Sequence, residues 1–262
     1  MKEKTSQLPG FYKLKPKERL QLVKKFADLT NEDLILLQST GSLDLDLANR
    51  MIENVVGAFP VPLGIAVNFL INKRDYLVPM AIEEPSVVAA ASYAAKMARE
   101  GGGFFTNSTP PVMIGQIQTV GVKDPHGAKM AVYSAKEEIL SKANEQDPML
   151  VSLGGGAKDL EVKVINTQTG PMVITELYVD CRDIMGANAV NTMAEAVAPI
   201  IERITHGRVY LRIISNLATK RLARAWCTVP KKAVGGEEVV DGIIQAYAFA
   251  AADPYRAATH NK

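Results

Sequence analysis

Two alanine-rich helical stretches, Ser86 to Arg99 and Gly235 to Ala252, stand on either side of a middle region that has none. This asymmetry constrains the fold more than any other feature. In the first stretch Ser86, Ala89, Ala90, Ala91, Ser92, Ala94, Ala95 and Ala98 leave mostly small side chains around a helix, so that another backbone can come close. Between the stretches, Gly101-Gly102-Gly103 and Thr106-Asn107-Ser108-Thr109-Pro110-Pro111 have the turn chemistry of a domain boundary. From Val112 to about Ile214 the pattern alternates, with strands over Ile114 to Gly121, Glu161 to Ile165, Met172 to Val179 and Val209 to Ser215. Helices over Gly127 to Ala143 and Gly186 to Thr205 complete this part. The expected fold class is α+β: an alanine-rich helical large domain (1–110 and 216–262) interrupted by a small α/β domain (111–215). The small domain should carry a mostly antiparallel sheet with two helices on one face.

The N-terminal region predicts helices over Lys17 to Phe26, started by Pro16, over Asn31 to Gln38, capped by Thr30, and over Leu43 to Asn54. The proline and glycine run after them reads as an extended loop. A chain of 262 residues, 47% hydrophobic and 22% charged, is an ordinary globular sequence able to bury a sizeable core. A net charge of +2 is too small to argue for nucleic acid. The apolar run Val55 to Leu70 is broken by Gly57, Pro60, Pro62 and Gly64, so no membrane span is expected. Cys181 and Cys227 have no CxxC spacing, and the charged start Met1-Lys2-Glu3-Lys4 carries no signal-like run. These features predict a cytoplasmic protein without structural disulfides or bound metal.

Four stretches carry possible chemistry. Gly154-Gly155-Gly156-Ala157-Lys158-Asp159 is neither GxGxxG nor GK[ST], and strands come after it; a flexible turn and a phosphate loop are both open. In Asp183-Ile184-Met185-Gly186-Ala187-Asn188 the aspartate can cap a helix, and the glycine can let a pyrophosphate approach, although a plain helix start fits too. Glu83 and Glu84 are adjacent, so their side chains diverge and they are not an acid and base for each other. Asp253-Pro254-Tyr255-Arg256-Ala257-Ala258-Thr259-His260-Asn261-Lys262 gathers donors that suit an oxyanion or a carboxylate.

Read together with Ile52 to Gly64 and Met80 to Ser92, this last stretch closely resembles the 3-hydroxy-3-methylglutaryl-CoA reductases, in particular the class found in bacteria and archaea. The resemblance runs over essentially the whole chain. It implies an NAD- or NADP-dependent oxidoreductase that interconverts 3-hydroxy-3-methylglutaryl-CoA with mevalonate and CoA in two hydride transfers. Glu84 then matches the catalytic glutamate and Lys262 the catalytic lysine, while Ser86, Arg256 and Asn261 match substrate-binding positions. The apolar neighbours Val78, Pro79, Met80, Val87 and Val88 suggest burial of Glu84 and a raised pKa suited to proton donation.

The family's Asp-Ala-Met-Gly-(Ala or Met)-Asn-Met motif is matched at Asp183, Met185, Gly186, Ala187 and Asn188, which implies dinucleotide binding there, with Asn216 nearby. Ile184 and Ala189 depart from it. No acidic residue at the end of a recognisable βαβ unit decides between NAD and NADP. The basic cluster Lys13, Lys15, Lys17, Arg19, Lys24 and Lys25 is either a solvated helix face or an attraction for the phosphates of a CoA tail. The family's interlocked dimers imply self-association.

The sequence stops inside the lysine motif, short of the Gly-Ile-Met-Asn-Gly continuation, the lysine's aspartate partner and the thiolate-protonating histidine. His126, His206 and His260 do not sit where that histidine belongs. Two readings stand at this point. One is a fragment of a reductase, inactive alone; the other is a short, non-catalytic chain that binds CoA or a dinucleotide or joins a complete subunit.

Overall fold

A computed structural model describes residues 4–41 and 43–260. It divides into two units, one made of the residues up to Thr106 together with those from Ala225 on, the other of Asn107–Arg224. The first unit opens with a 3-10 turn (Phe11–Lys13) and helices α1 (Pro16–Ala27), α2 (Asn31–Gln38) and α3 (Leu45–Met51). Strands β1 (Leu63–Ile71) and β2 (Arg74–Ala81), helix α4 (Val87–Glu100) and strand β3 (Phe104–Ser108) come next. The second unit holds β4 (Val112–Val120), α5 (Pro125–Ser134), α6 (Lys136–Asn144), α7 (Pro148–Ser152), β5 (Gly156–Thr167), β6 (Gly170–Asp180), α8 (Ala187–Thr205) and β7 (Arg208–Ser215). Strand β8 (Ala223–Cys227) and helices α9 (Lys231–Val234), α10 (Glu237–Ala252) and α11 (Pro254–Thr259) return to the first unit.

The mixed α+β class agrees with the sequence expectation, but the large unit is not only helical. It contains a four-stranded sheet in the order β2-β1-β3-β8. The β1–β2 hairpin is antiparallel and turns at Asn72-Lys73, both in the left-handed region (φ 49° and 66°), as a right-twisted two-residue turn requires. Asn72 also ties the turn to β3, donating from Nδ2 to Thr106 Oγ1 at 2.9 Å and accepting from Thr106 N at Oδ1, 2.9 Å. Helix α4 lies on β1, with Ala95 and Ala98 buried. The close approach here is made by Gly64 of β1, where a Cβ would sit 3.0 Å from Val88 Cγ2, while Ala89, Ala90 and Ala94 of the small-residue stretch are exposed. Ser92 fixes the contact, its Oγ accepting from Val67 N at 3.1 Å and donating to Val88 O at 2.8 Å.

In the second unit the sheet order is β5-β6-β4-β7, every pairing antiparallel. Alternate residues Val162, Val173, Leu177 and Ile117 face the core, and the helices cover that face alone because the intervening positions carry Gln116, Glu161, Lys163, Glu176 and Tyr178. Helix α8 buries Val190, Met193, Ala194, Val197, Ala198 and Ile201, a stripe at 3, 4 and 7 spacing. Gly115 in β4 accepts that helix closely: a Cβ would stand 2.9 Å from Val190 Cγ1.

The single helix expected over Gly127 to Ala143 is instead two, α5 and α6, separated at Ala135, whose φ −95° and ψ 11° leave the helical region. The helix expected over Leu43 to Asn54 is shorter, capped by the Asp44 carboxylate and ending at Met51. Where the chain enters and leaves this unit, Thr109 N donates to Leu222 O at 2.9 Å and Leu222 N to Thr109 Oγ1 at 2.8 Å. Among the described residues no helix is long and apolar enough to cross a membrane.

Candidate active site

Strand β2 ends at Ala81, and Ile82 N donates to Pro62 O at 3.1 Å before the chain turns through Glu83, Glu84 and Pro85 into α4. This turn delivers Glu84 and Ser86 to one cavity of about 1340 Å³. Ser86 is the N-cap residue of α4, yet its hydroxyl makes no capping bond. It has φ 74° and ψ −21°, a left-handed conformation that costs a non-glycine residue roughly 1 kcal/mol. Its carbonyl starts the helix, accepting from Ala90 N at 2.8 Å, and the exposed hydroxyl is left to the cavity. Glu84 is half-buried rather than enclosed, so the apolar neighbours named from the sequence wall it only in part.

Arg256 is half-buried on α11, whose first turn is capped by Asp253: Arg256 N donates to Asp253 Oδ1 at 2.6 Å. Its Nε is buried without a hydrogen-bond partner among the described residues. It lines a second cavity of about 450 Å³ with Ala246, Phe249, Thr259 and His260. Glu84 and Ser86 are thus brought together, and Arg256 and His260 are brought together, but the two pairs lie on different cavities. Asn261 and Lys262 lie outside the described residues.

The Asp183–Asn188 motif comes after β6 at one end of the second unit's sheet. Asp183 is exposed and does not cap α8; the turn closes instead through Ile184 N to Cys181 O at 3.1 Å, and Gly186 takes the N-cap position. Gly186 is buried at φ 94°, and a Cβ there would lie 2.5 Å from Met113 Sδ and 2.7 Å from Cys181 Sγ. The N-cap residue supplies no side-chain acceptor to this 19-residue helix, and its first amide, Ala187 N, has only the weak acceptor Met185 Sδ at 3.4 Å. Met185 is 70% exposed, Asn188 is exposed and Ala187 half-buried, so the motif presents its side chains around that helix end.

Asn216 is exposed immediately after β7, and Ser215 before it pairs with Ile114, next to the Met113 that packs on Gly186. All six motif positions therefore gather at this end of the sheet. The sequence did not single out Arg182 and Arg221, which the fold also brings here. Arg182 Nη2 donates to Gly154 O, and Arg221 Nη1 lies 3.4 Å from Met113 Sδ.

The glycines of the Gly154 turn have a packing explanation: a Cβ on Gly155 would lie 2.6 Å from Leu150 Cδ1, and Gly154 and Gly156 have φ 84° and 91°. Burial pushes the Cys181 thiol up, which makes it a packing residue rather than a nucleophile.

The chain is thus a two-unit α+β protein that mounts Glu84 and Ser86 on a large cavity of the first unit and, in the second, starts a long helix without a side-chain cap. The family model for hydroxymethylglutaryl-coenzyme A reductase matches residues 15–262, and the chain belongs to that family. It is 63% identical over 258 residues to the 3-hydroxy-3-methylglutaryl-coenzyme A reductase of Archaeoglobus fulgidus, an alignment covering 98% of this chain and 59% of that protein.

A probable reductase of Borreliella burgdorferi is 30% identical over 220 residues, 79% of this chain and 46% of the relative. The class II reductase of Streptococcus pneumoniae, solved bound to NADPH in open conformations, superimposes with a TM-score of 0.92 at 40% identity. That match covers 97% of this chain and 70% of the solved one. The chain therefore spans only part of the length of its relatives.

Proposed function

We propose that this chain carries the glutamate, serine and arginine of the substrate site and the dinucleotide-binding unit of a hydroxymethylglutaryl-CoA reductase. That enzyme interconverts 3-hydroxy-3-methylglutaryl-CoA with mevalonate and CoA. The observation that carries the reading is the placement of Glu84 and Ser86 on one wall of the 1340 Å³ cavity, with Ser86 held in a left-handed conformation that frees its hydroxyl. The cavity exceeds the ~300–1,000 Å³ of drug-sized sites, in keeping with a ligand as long as a CoA thioester. The 63% identity over nearly the whole chain supports the enzyme over the non-catalytic alternative.

In this reading Glu84 gives and takes the proton at the oxygen of the reacting carbonyl. Ser86 donates to the acyl part of the substrate. Arg256, with a buried Nε lacking a partner, pairs with the free carboxylate of the hydroxymethylglutaryl group. Lys262, with Asn261 beside it, stabilises the negative charge that develops on the carbonyl oxygen, a role inferred from the sequence motif.

The uncapped start of α8 suits the diphosphate of NAD or NADP, with Asp183, Met185, Ala187, Asn188 and Asn216 around it and Gly186 holding the turn. When bound, the cofactor supplies hydride, two equivalents for each thioester reduced to the alcohol. We also propose that the protein self-associates: Val239, Ile243, Tyr247 and Phe249 of α10 are all exposed, more apolar surface on one helix than a solvated element carries.

The test is substrate-dependent oxidation of NADH and of NADPH by the full-length protein, followed at 340 nm. Turnover with one or both, abolished in Glu84→Gln, is the expected result; no turnover with either cofactor would overturn the reading.

A further inference from the structure

A cluster that the proposed chemistry does not use sits behind the cavity. Ser6 is fully buried, although it belongs to the N-terminal segment. Its N donates to Asp75 Oδ1 at 2.7 Å, its hydroxyl lies 2.7 Å from the same oxygen and 2.9 Å from Phe69 O, and its carbonyl accepts from Asn68 N at 3.0 Å. Arg99 from α4 also holds the carboxylate, in a two-pronged pair with Nη1 to Oδ1 at 2.8 Å and Nη2 to Oδ2 at 3.1 Å. The β1 groups that meet Ser6, the Phe69 carbonyl and the Asn68 N–H, lie where β1 bulges between Ala66 and Phe69; Asn68 adopts φ 72° there and its side-chain amide donates to Ser92 O at 3.0 Å. One carboxylate thus joins three separate parts of the chain: the N-terminal segment, the β1–β2 hairpin and α4.

The segment immediately after Ser6 gives the cluster a purpose. Residues 7–12 run directly along the cavity that holds Glu84 and Ser86 and form one of its walls. The far end of this strap is fixed by Arg19, whose Nε and Nη2 donate to Phe11 O at 3.2 Å and Tyr12 O at 3.0 Å, and by the burial of Phe11. The near end is held mainly by buried Ser6; the flanking Thr5 and Gln7 are exposed, Thr5 Oγ1 adds only a long contact to Asp75 Oδ1 at 3.4 Å, and Lys4 pairs with Asp28 at the surface.

We infer that Asp75 is a positioning residue for substrate: by gripping Ser6 it holds residues 7–12 in place as a wall of the thioester cavity. Hydrogen bonds to Asp75 from both Ser6 and Arg99 keep it ionised, so the grip does not loosen across the physiological range. The inference rests on the reading that this cavity takes the CoA thioester, and its first readout needs no substrate.

Ser6→Asp in the full-length protein places a second carboxylate against Asp75, where it repels Asp75 and competes with it for Arg99, whose Nη1 lies 3.4 Å from the Ser6 hydroxyl. The expected result is cleavage by trypsin after Lys4 and Lys13 at least tenfold faster than in the wild type. The KM for 3-hydroxy-3-methylglutaryl-CoA should rise at least tenfold while kcat stays within threefold. Ser6→Ala, which keeps the backbone bonds, should show the same split at two- to threefold, and it carries the test if the charged variant does not fold.

Unchanged cleavage would overturn the grip, and faster cleavage with an unchanged KM would overturn the strap's part in substrate binding. A wild-type protein that does not turn over the thioester refutes the functional reading instead, and is recognised before any variant is made.

Discussion

Gly186→Ala separates two reasons for a glycine in the dinucleotide motif. From sequence, the glycine admits a phosphate; in the structure it is buried at φ 94°, with Met113 Sδ and Cys181 Sγ where a Cβ would go. Forcing an alanine into left-handed backbone costs roughly 1–2 kcal/mol, and crowding a packed core adds about 1–3 kcal/mol. The sum, about 2–5 kcal/mol, is a large part of the ~5–15 kcal/mol that holds a domain together. Met113 and Cys181 anchor the turn on β4 and on the end of β6, so relief by local movement would displace the start of α8 as well.

The assay is urea unfolding of the variant beside Asn188→Ala, followed by circular dichroism, with NADH and NADPH affinity measured in parallel. Asn188 is exposed, so its alanine variant should lose affinity with stability within ~0.5 kcal/mol of wild type. If Gly186→Ala instead unfolds within ~0.5 kcal/mol of wild type and loses only affinity, the packing argument is wrong and the glycine serves the ligand alone.

Three further outcomes are expected. Glu84→Gln should lower kcat by ~10²–10⁴-fold with little change in melting temperature, as steady-state kinetics and calorimetry would show. Burial alone would raise the Asp75 carboxyl, but hydrogen bonds from Arg99 and Ser6 and the arginine's charge outweigh it and bring the pKa down to about 2. A depressed carboxylate stabilises the fold above its unfolded pKa and stops doing so as pH falls through the folded one. Asp75 should therefore contribute about 2 kcal/mol at neutral pH that disappears between roughly pH 4 and pH 2, a slope absent from the acid unfolding of Asp75→Asn. Gly101→Ala should be destabilised by ~3 kcal/mol or more, because its Cβ would land on the carbonyl oxygen of Thr228 and 2.8 Å from the carbonyl carbon; soluble yield and melting temperature report it.

Residues whose role is local were legible in the sequence. Thr30 before Asn31, Pro16 before Lys17, and the apolar stripe of α8 are each set by neighbours within a few positions, and the elements stand where that pattern places them. The sheet of the large unit was not legible for the converse reason. Strand β1 comes after a proline and glycine run and is apolar along most of its length, β2 contains Pro79 and does not alternate in sequence although its burial does, and β8 is exposed along its whole length.

Asp183 illustrates a different failure. Its chemistry suits a cap, but the left-handed Gly186 ends the turn later and takes the position. At the candidate site, Glu84, Ser86 and the α8 motif were found through resemblance, whereas Ser6, Asp75 and Arg99 had no signal at all. They are separated by 69 and 24 residues and meet only through the tertiary packing of the N-terminal segment, β2 and α4.

The two hydrogen bonds between Thr109 and Leu222 make the second unit a loop tied off at its neck. Strands β3 and β8, which carry the chain across, are neighbours in the host sheet, so the host meets this unit as a connection of fixed end-to-end distance whatever its contents. Closure entropy rises by only ~0.6 kcal/mol for each doubling of such a connection. A whole folded unit can thus be carried as a cassette, and a change of length inside it need not re-register the strands of the host sheet.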